Sequence, residues 1–336
     1  MLDASTTGQG SKMKAVVRRR YGSPNVLEIE EVVIPVLEDD RVLVRVKASS
    51  VNALAKYSMR GPWIVRVSGE GLRRPKIVVQ GTDLAGEVVS VGKNVTHFKP
   101  GDEVYGTGRG AYAEYASARE DRLALKPANQ TFEQAAGVPI AAITALQGLR
   151  DKGQVREGQN VLIVGASGGV GTFAVQIAKA LGAQVTAVCR TDKVEQTRSL
   201  GADRVIDYTK EDFAKDGQRY DLILDIAGDR SFSDIRHIMN PDGTLVLVGA
   251  YTKRRLGMTR ALAHIAYSQL LNRFVSQKLT FFEAKINTGD LNVLKDLIES
   301  GEVSTLVDRT YPLNEVPDAI RYLEGWHAKG KIIITI

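Results

Sequence analysis

The stretch VLIVGASGGVGTFAVQIAKALGAQVTAVC, residues 161–189, leaves few folds open to this chain. An apolar run of strand length meets a glycine-rich turn, an amphipathic helical pattern follows, and a second apolar run closes the unit. Ala166, Gly168 and Gly171 fall at the three small-residue positions of a dinucleotide-binding turn. A glycine at 168 lets the backbone approach a pyrophosphate, and one at 171 lets the helix pack closely on the strand. The helix N-terminus then offers free N–H groups and positive dipole to the phosphates. Ser167, Gly168, Gly169, Val170 and Gly171 are therefore the predicted phosphate-binding residues.

The remainder of the chain divides around this unit. From residue 13 to about 126, MKAVVRR, VLEIEEVVIP, RVLVRVKASSV and GTDLAGEVVSVG read as short strands broken by turn residues, which predicts a β-barrel-like domain. Near Thr131 the texture becomes helical, and Gly153 is placed to stop that helix. Strand and helix then alternate through VLIVGA, VTAVC, DRVIDY, YDLILDIAG and TLVLVGA. The fold class predicted is α/β: a Rossmann, doubly wound parallel sheet beside a barrel-like domain. The expected boundaries are a disordered tail over 1–12, the barrel-like domain over 13–141, the nucleotide domain over 142–278, and a return to the first domain over 279–336. The basic stretch 253–275 reads as an amphipathic helix with a core-facing stripe. The strand LTFFEA is placed to pair edge to edge with its copy, predicting a homodimer.

Composition narrows the chemistry. The 336 residues carry a single cysteine, Cys189, and four scattered histidines, so neither a disulfide nor a cysteine-based zinc cage is expected. The net charge is +6, yet the cations form short clusters without interleaved aromatics, and no nucleic-acid partner is expected. No apolar run reaches spanning length, so no stable membrane insertion is expected, and the cytoplasm is the expected address.

The end of the second nucleotide strand bears on the cofactor. NAD binders place an acid there for the ribose hydroxyl, whereas this chain has Cys189-Arg190-Thr191-Asp192-Lys193. Arg190 and Lys193 would attract a 2′-phosphate, and Asp192 sits where a helix N-cap would. NADPH is the cofactor predicted.

The segments GASGGVGTFAVQIAKALGA, SLGADRVIDY, SVNALAKYSMRG, GTDLAGEVVSVG and KPGDEVYG resemble the zinc-independent medium-chain dehydrogenase/reductases, in their quinone oxidoreductase-like branch. The resemblance spans about 13–336 and implies a GroES-like catalytic domain. It implies that Asn52 and Thr82 stand where zinc-dependent members carry ligand Cys and His. By the same resemblance Asn52 and Tyr57 would line the nicotinamide and substrate cleft, with Thr144 near the nicotinamide. Tyr208 would lie beside the adenosine phosphate with Lys193. Ile226 and Gly249 would face the cofactor from strand ends, and Phe282 with His327, Ala328 and Lys329 would close over the nicotinamide end. Two departures stand out: Ala55 replaces the usual Asp, and Trp63 stands near a cleft Tyr that donates a proton in enoyl reductases.

Without a metal there is no Lewis acid to polarise a saturated carbonyl. A quinone or α,β-unsaturated carbonyl accepts hydride at a conjugated position, and Asn52 or Tyr57 would hydrogen-bond the developing oxyanion. The expected activity is NADPH-dependent hydride transfer to such a small molecule. Two alternatives stay open: a non-catalytic NADPH sensor or crystallin-like protein, and an enoyl-thioester reductase.

Overall fold

The computed structural model describes residues 10–215, 217–228, 230, 232–248 and 276–336. Gly249 and the basic stretch 253–275 lie outside the described residues. The chain divides into two compact units: 1–140 with 286–299 and 305–336, and 141–285 with 300–304.

The first unit begins with β1 (Lys12–Arg18) and β2 (Leu27–Val33), an antiparallel pair in which Lys12 faces Val33. β3 (Arg41–Val51) follows; Val42, Leu43, Val44 and Val46 are all buried. Next come helix α1 (Ala53–Arg60), β4 (Asp83–Val91), β5 (Glu103–Thr107), β6 (Tyr115–Arg119) and β7 (Leu123–Leu125). Thr131 opens the helical region with a reciprocal cap: its hydroxyl accepts from Gln134 N, and the Gln134 side chain accepts from Thr131 N. Helix α2 (Pro139–Leu146) carries the chain across the division between the units.

The second unit holds β8 (Asn160–Val164), α3 (Gly169–Ala180), β9 (Gln184–Cys189), β10 (Arg204–Asp207), β11 (Tyr220–Asp225), β12 (Met239–Val248) and β13 (Lys278–Phe282). These strands form one six-stranded parallel sheet in the order β10-β9-β8-β11-β12-β13. The crossing from β9 on one side of β8 to β11 on the other is the strand-order reversal expected of a doubly wound sheet. Leu162, Ile163, Ile223 and Leu224 are fully buried, which is why β8 and β11 read as unbroken apolar runs. Each such side chain contributes about 1.5–3 kcal/mol by leaving water. Helix α3 differs from its sequence reading. Every residue from Gly171 to Ala178 is buried, Gln176 included. Its amide donates to Thr172 O and Ser304 O and accepts from Ser304 N, so an apparently polar face is satisfied inside the unit.

The chain then returns through α4 (Thr288–Glu299), β14 (Val307–Pro312), α5 (Val316–Glu324) and β15 (Lys331–Thr335). β15 pairs antiparallel with β3, placing Ile332 opposite Val51, and completes a seven-stranded sheet of order β14-β15-β3-β4-β5-β7 with β6 also on β3. The terminal strand is thus part of the first unit's core: Ile332, Ile333 and Ile334 are buried.

Candidate functional site

The glycine-rich turn predicted to bind phosphate follows directly from β8. Gly165 adopts φ +89°, turning the chain out of the strand, and Gly168 precedes the first turn of α3 in extended conformation. Gly168, at the N-cap, has no side chain to cap this helix end, which suits its first N–H groups to a ligand's phosphates. The two motif glycines serve different ends. A Cβ on Gly171 would fall 2.2 Å from Gly165 O and 2.6 Å from the Ala166 carbonyl carbon, so the fold itself requires glycine there. A Cβ on Gly168 would meet only Gly165 O, at 3.7 Å. The protein leaves that side of Gly168 open, as a close pyrophosphate requires. Gly168, Gly169 and Val170 are partly exposed at this end while Ser167 is buried. The residues present therefore fit a pyridine dinucleotide.

At the end of β9, Arg190 is held by a bidentate ion pair to Asp192, at 2.7 and 3.1 Å. Asp192 lies inside the short helical turn Thr191–Lys193, whose N-cap position is Arg190, and pairs with the guanidinium two residues away. Lys193 is buried, whereas Tyr208 is half exposed, its N–H donating to Cys189 O. Asp207, the last residue of β10, accepts from Thr191 Oγ1 at 2.6 Å and from the hydroxyl and N–H of Thr209 at 2.8 and 3.0 Å. The Thr191 hydroxyl bond above all holds this carboxyl below its ordinary value. Ile226 leaves β11 with its N–H on Val164 O, and Phe282 ends β13 close to Gly148. Thr144 lies partly buried in α2. The Gly249 assignment falls outside the described residues.

The first unit assembles a second group. Asn52 occupies the N-cap position of α1, where an Asn ordinarily accepts from the helix's own N–H groups. It makes no such cap. Its Oδ1 accepts from Lys331 Nζ at 2.6 Å and its Nδ2 donates to Asp83 Oδ2 at 2.7 Å. Ser50 Oγ also donates to Asp83 Oδ2, at 2.6 Å, and Ile140 N to Asp83 Oδ1, at 3.2 Å. The side chains of Asp83 and Lys331 are 0% and 2% exposed, 3.9 Å apart, and Asn52 is the partly exposed member. Burial pushes the Asp83 carboxyl up and the Lys331 ammonium down; the opposite charge of each and the hydrogen bonds from Ser50 and Asn52 resist it. Gly81 lets β4 begin here: at φ +94° its absent Cβ leaves room for Tyr112 N, which a Cβ would meet at 2.3 Å.

Tyr57 lies one turn further along α1. Lys56 Nζ stands 5.7 Å from the Tyr57 ring centroid and 5.2 Å from that of Trp326. A bidentate Arg60–Glu324 pair, at 2.6 and 2.8 Å, ties α1 to α5. The exposed His327, partly buried Ala328 and exposed Lys329 follow, with Lys329 N donating to Asp308. Trp63 is largely exposed. Among the described residues no three or more His, Cys, Asp or Glu side chains gather as a metal site.

The sequence reading missed Asp83, Lys331 and Ser50. Only Ser50, two residues before Asn52, carried a local signal; Lys331 is 279 positions away and reaches Asn52 through strand pairing alone.

Comparison with known proteins agrees with this architecture. Residues 38–128 match the family described as alcohol dehydrogenase GroES-like domain, and residues 200–334 match zinc-binding dehydrogenase. Residues 128–228 match the alanine dehydrogenase/PNT C-terminal domain. The chain is 32% identical to the mitochondrial NAD(P)H oxidoreductase RTN4IP1 of Bos taurus over 99% of its length and 91% of the relative's. It is 35% identical to the chloroplastic NADPH-dependent alkenal/one oxidoreductase of Arabidopsis thaliana, over 96% of this chain and 79% of that one. The solved quinone oxidoreductase of Coxiella burnetii superposes with a TM-score of 0.83 at 26% identity, over 97% of this chain and 100% of that one. No helix among the described residues is long and apolar enough to cross a membrane. With the parallel nucleotide sheet, the GroES-like unit and relatives alike over nearly the whole chain, this protein belongs to the medium-chain dehydrogenase/reductase superfamily, in its quinone oxidoreductase-like branch.

Proposed function

We propose that the chain is an NADPH-dependent, zinc-independent oxidoreductase that reduces a quinone or an α,β-unsaturated carbonyl. The observation that carries the reading is the Asn52 group: where zinc-dependent relatives would hold a ligand, an amide stands fixed between a buried ammonium and a buried carboxylate. An amide is a poor zinc ligand but a good donor to an oxyanion. The bound nucleotide supplies hydride at its nicotinamide ring. The chain's own residues bind the pyrophosphate at the α3 N-terminus, orient the acceptor and offer an Asn52 N–H to the oxygen that gains charge, which then takes a proton from water. Tyr57 is a second donor in this reading. The relatives named for alkenal/one and NAD(P)H oxidoreduction support it.

The choice of NADPH rests on Arg190, with Lys193 beside it. No acid ends β9, and the Asp207 carboxylate already accepts three bonds from Thr191 and Thr209. Arg190 is shared with Asp192, so a 2′-phosphate would compete for its guanidinium. The reading also includes a homodimer through β13 and action in the cytoplasm.

The test is NADPH consumption over quinones, enones, aldehydes and, in the reverse direction, saturated alcohols, with NADH in parallel. Turnover of a quinone or enone is expected, with Arg190→Ala weakening NADPH about tenfold and sparing NADH. Turnover of saturated alcohols only, or stoichiometric zinc in the purified protein, would sink the reading.

A further inference from the structure

The Asp83–Lys331 pair is built in an unexpected way. A buried ion pair that served only the fold would close to hydrogen-bond distance, yet the two charges stand 3.9 Å apart. Lys331 Nζ instead makes its short bond, 2.6 Å, to the Asn52 amide oxygen. Burying charges costs free energy that an apolar pair of similar size would not. The geometry therefore puts that cost to use at Asn52, the member of the group that reaches solvent.

We propose that Lys331 is a positioning residue for the reaction: by donating to Asn52 Oδ1 it sets and polarises the amide, so that an Nδ2–H is offered to the acceptor oxygen as negative charge develops. The inference rests on the role given to Asn52 above. Three features of the site support it. The amide has one acceptable orientation, because turning it over would set its N–H groups against an ammonium and its oxygen against a carboxylate. Charge at the amide oxygen draws electron density from the nitrogen and strengthens its N–H groups as donors. Of those two N–H groups one is committed to Asp83 Oδ2 at 2.7 Å; Ser50 Oγ, 3.4 Å away and itself bonded to that same carboxylate oxygen, lies on the same side and does not take the second. The second N–H is the one an incoming oxygen can take.

β15 delivers the ammonium. Ile332 pairs with Val51, so the residue before Ile332 meets the residue after Val51, and these are Lys331 and Asn52. The final strand of the chain therefore supplies the group that orients a side chain at the start of α1.

Lys331→Met alone leaves a buried carboxylate uncompensated and can fail to fold, so the decisive protein is Asp83→Asn with Lys331→Met, which removes both charges together. Thermal melting checks that it folds. Two readouts follow. With a quinone acceptor, kcat is expected to fall on the order of tenfold with KM nearly unchanged, because a misaimed oxyanion donor acts on the transition state. Calorimetry on the NADP⁺-loaded protein compares 4-nitrophenolate, an oxyanion probe, with 4-nitroanisole, its neutral ether. The double variant is expected to lose affinity for the phenolate alone. A folded double variant with wild-type kcat, or equal losses for both probes, overturns the proposal. If the wild type reduces no quinone or enone, the functional reading fails, and the phenolate-to-anisole ratio still decides the role of Lys331.

Discussion

Gly168 and Gly171 look interchangeable in a motif but differ in what surrounds them. At 171 a methyl group would collide with the backbone of Gly165 and Ala166, neither of which can yield without breaking the turn. Gly171→Ala should destabilise the protein by about 1–3 kcal/mol, measured by urea denaturation without nucleotide. At 168 the nearest atom is 3.7 Å away, so Gly168→Ala should leave the melting curve unchanged and weaken NADPH binding roughly tenfold or more in calorimetry. Binding unaffected in a folded Gly168→Ala protein would move the pyrophosphate elsewhere. These positions were legible in the sequence because the constraint is local: strand, turn and helix are contiguous. Asn52 was legible as a candidate site residue but its partners were not: the structure gives its side chain to Asp83 and Lys331.

At the level of elements, the segment after β10 is held by one carboxylate. Asp207 accepts from Thr191, at the start of the turn after β9, and from Thr209, after its own strand, so it pins together the loops that follow β9 and β10. These bonds favour the ionised form and place its folded-state pKa below the ordinary 3.8. The associated stability is thus present above pH ~3.8 and lost as pH falls through the lower folded-state value. Asp207→Asn should lower the urea midpoint at pH 7, and its difference from wild type should shrink as the pH is taken below 3.8. A difference that does not change with pH would show that the carboxylate's charge is irrelevant. The helical run ends at Lys152 with Gly153 at its C-cap, as expected; the glycine has φ −77°, and Gln154 takes the left-handed conformation at φ +51°. Glycine is needed at 153 for space, since a Cβ would lie 2.6 Å from Leu222 Cδ2 on β11. That neighbour is far along the chain and invisible to local pattern.

At the scale of the whole molecule, β13 is an edge of the six-stranded sheet, paired with β12 through Leu247 and Phe281. Among the described residues its other edge carries no strand, and an unpaired edge with a partly exposed Phe281 is a template for a second copy. Sedimentation should show a dimer in the wild type and a shift to monomer in Phe281→Asp, with nucleotide binding retained; a monomeric wild type would end the proposal. The sequence by itself determined the parallel nucleotide sheet, its phosphate turn and the return of the last strand, because each is written in contiguous runs of apolar and small residues whose period fixes their geometry. Only the tertiary structure decided the Asp83–Asn52–Lys331 group. Its members lie up to 279 positions apart, and a lysine in the sequence is a surface residue until strand pairing buries it beside a carboxylate and an amide.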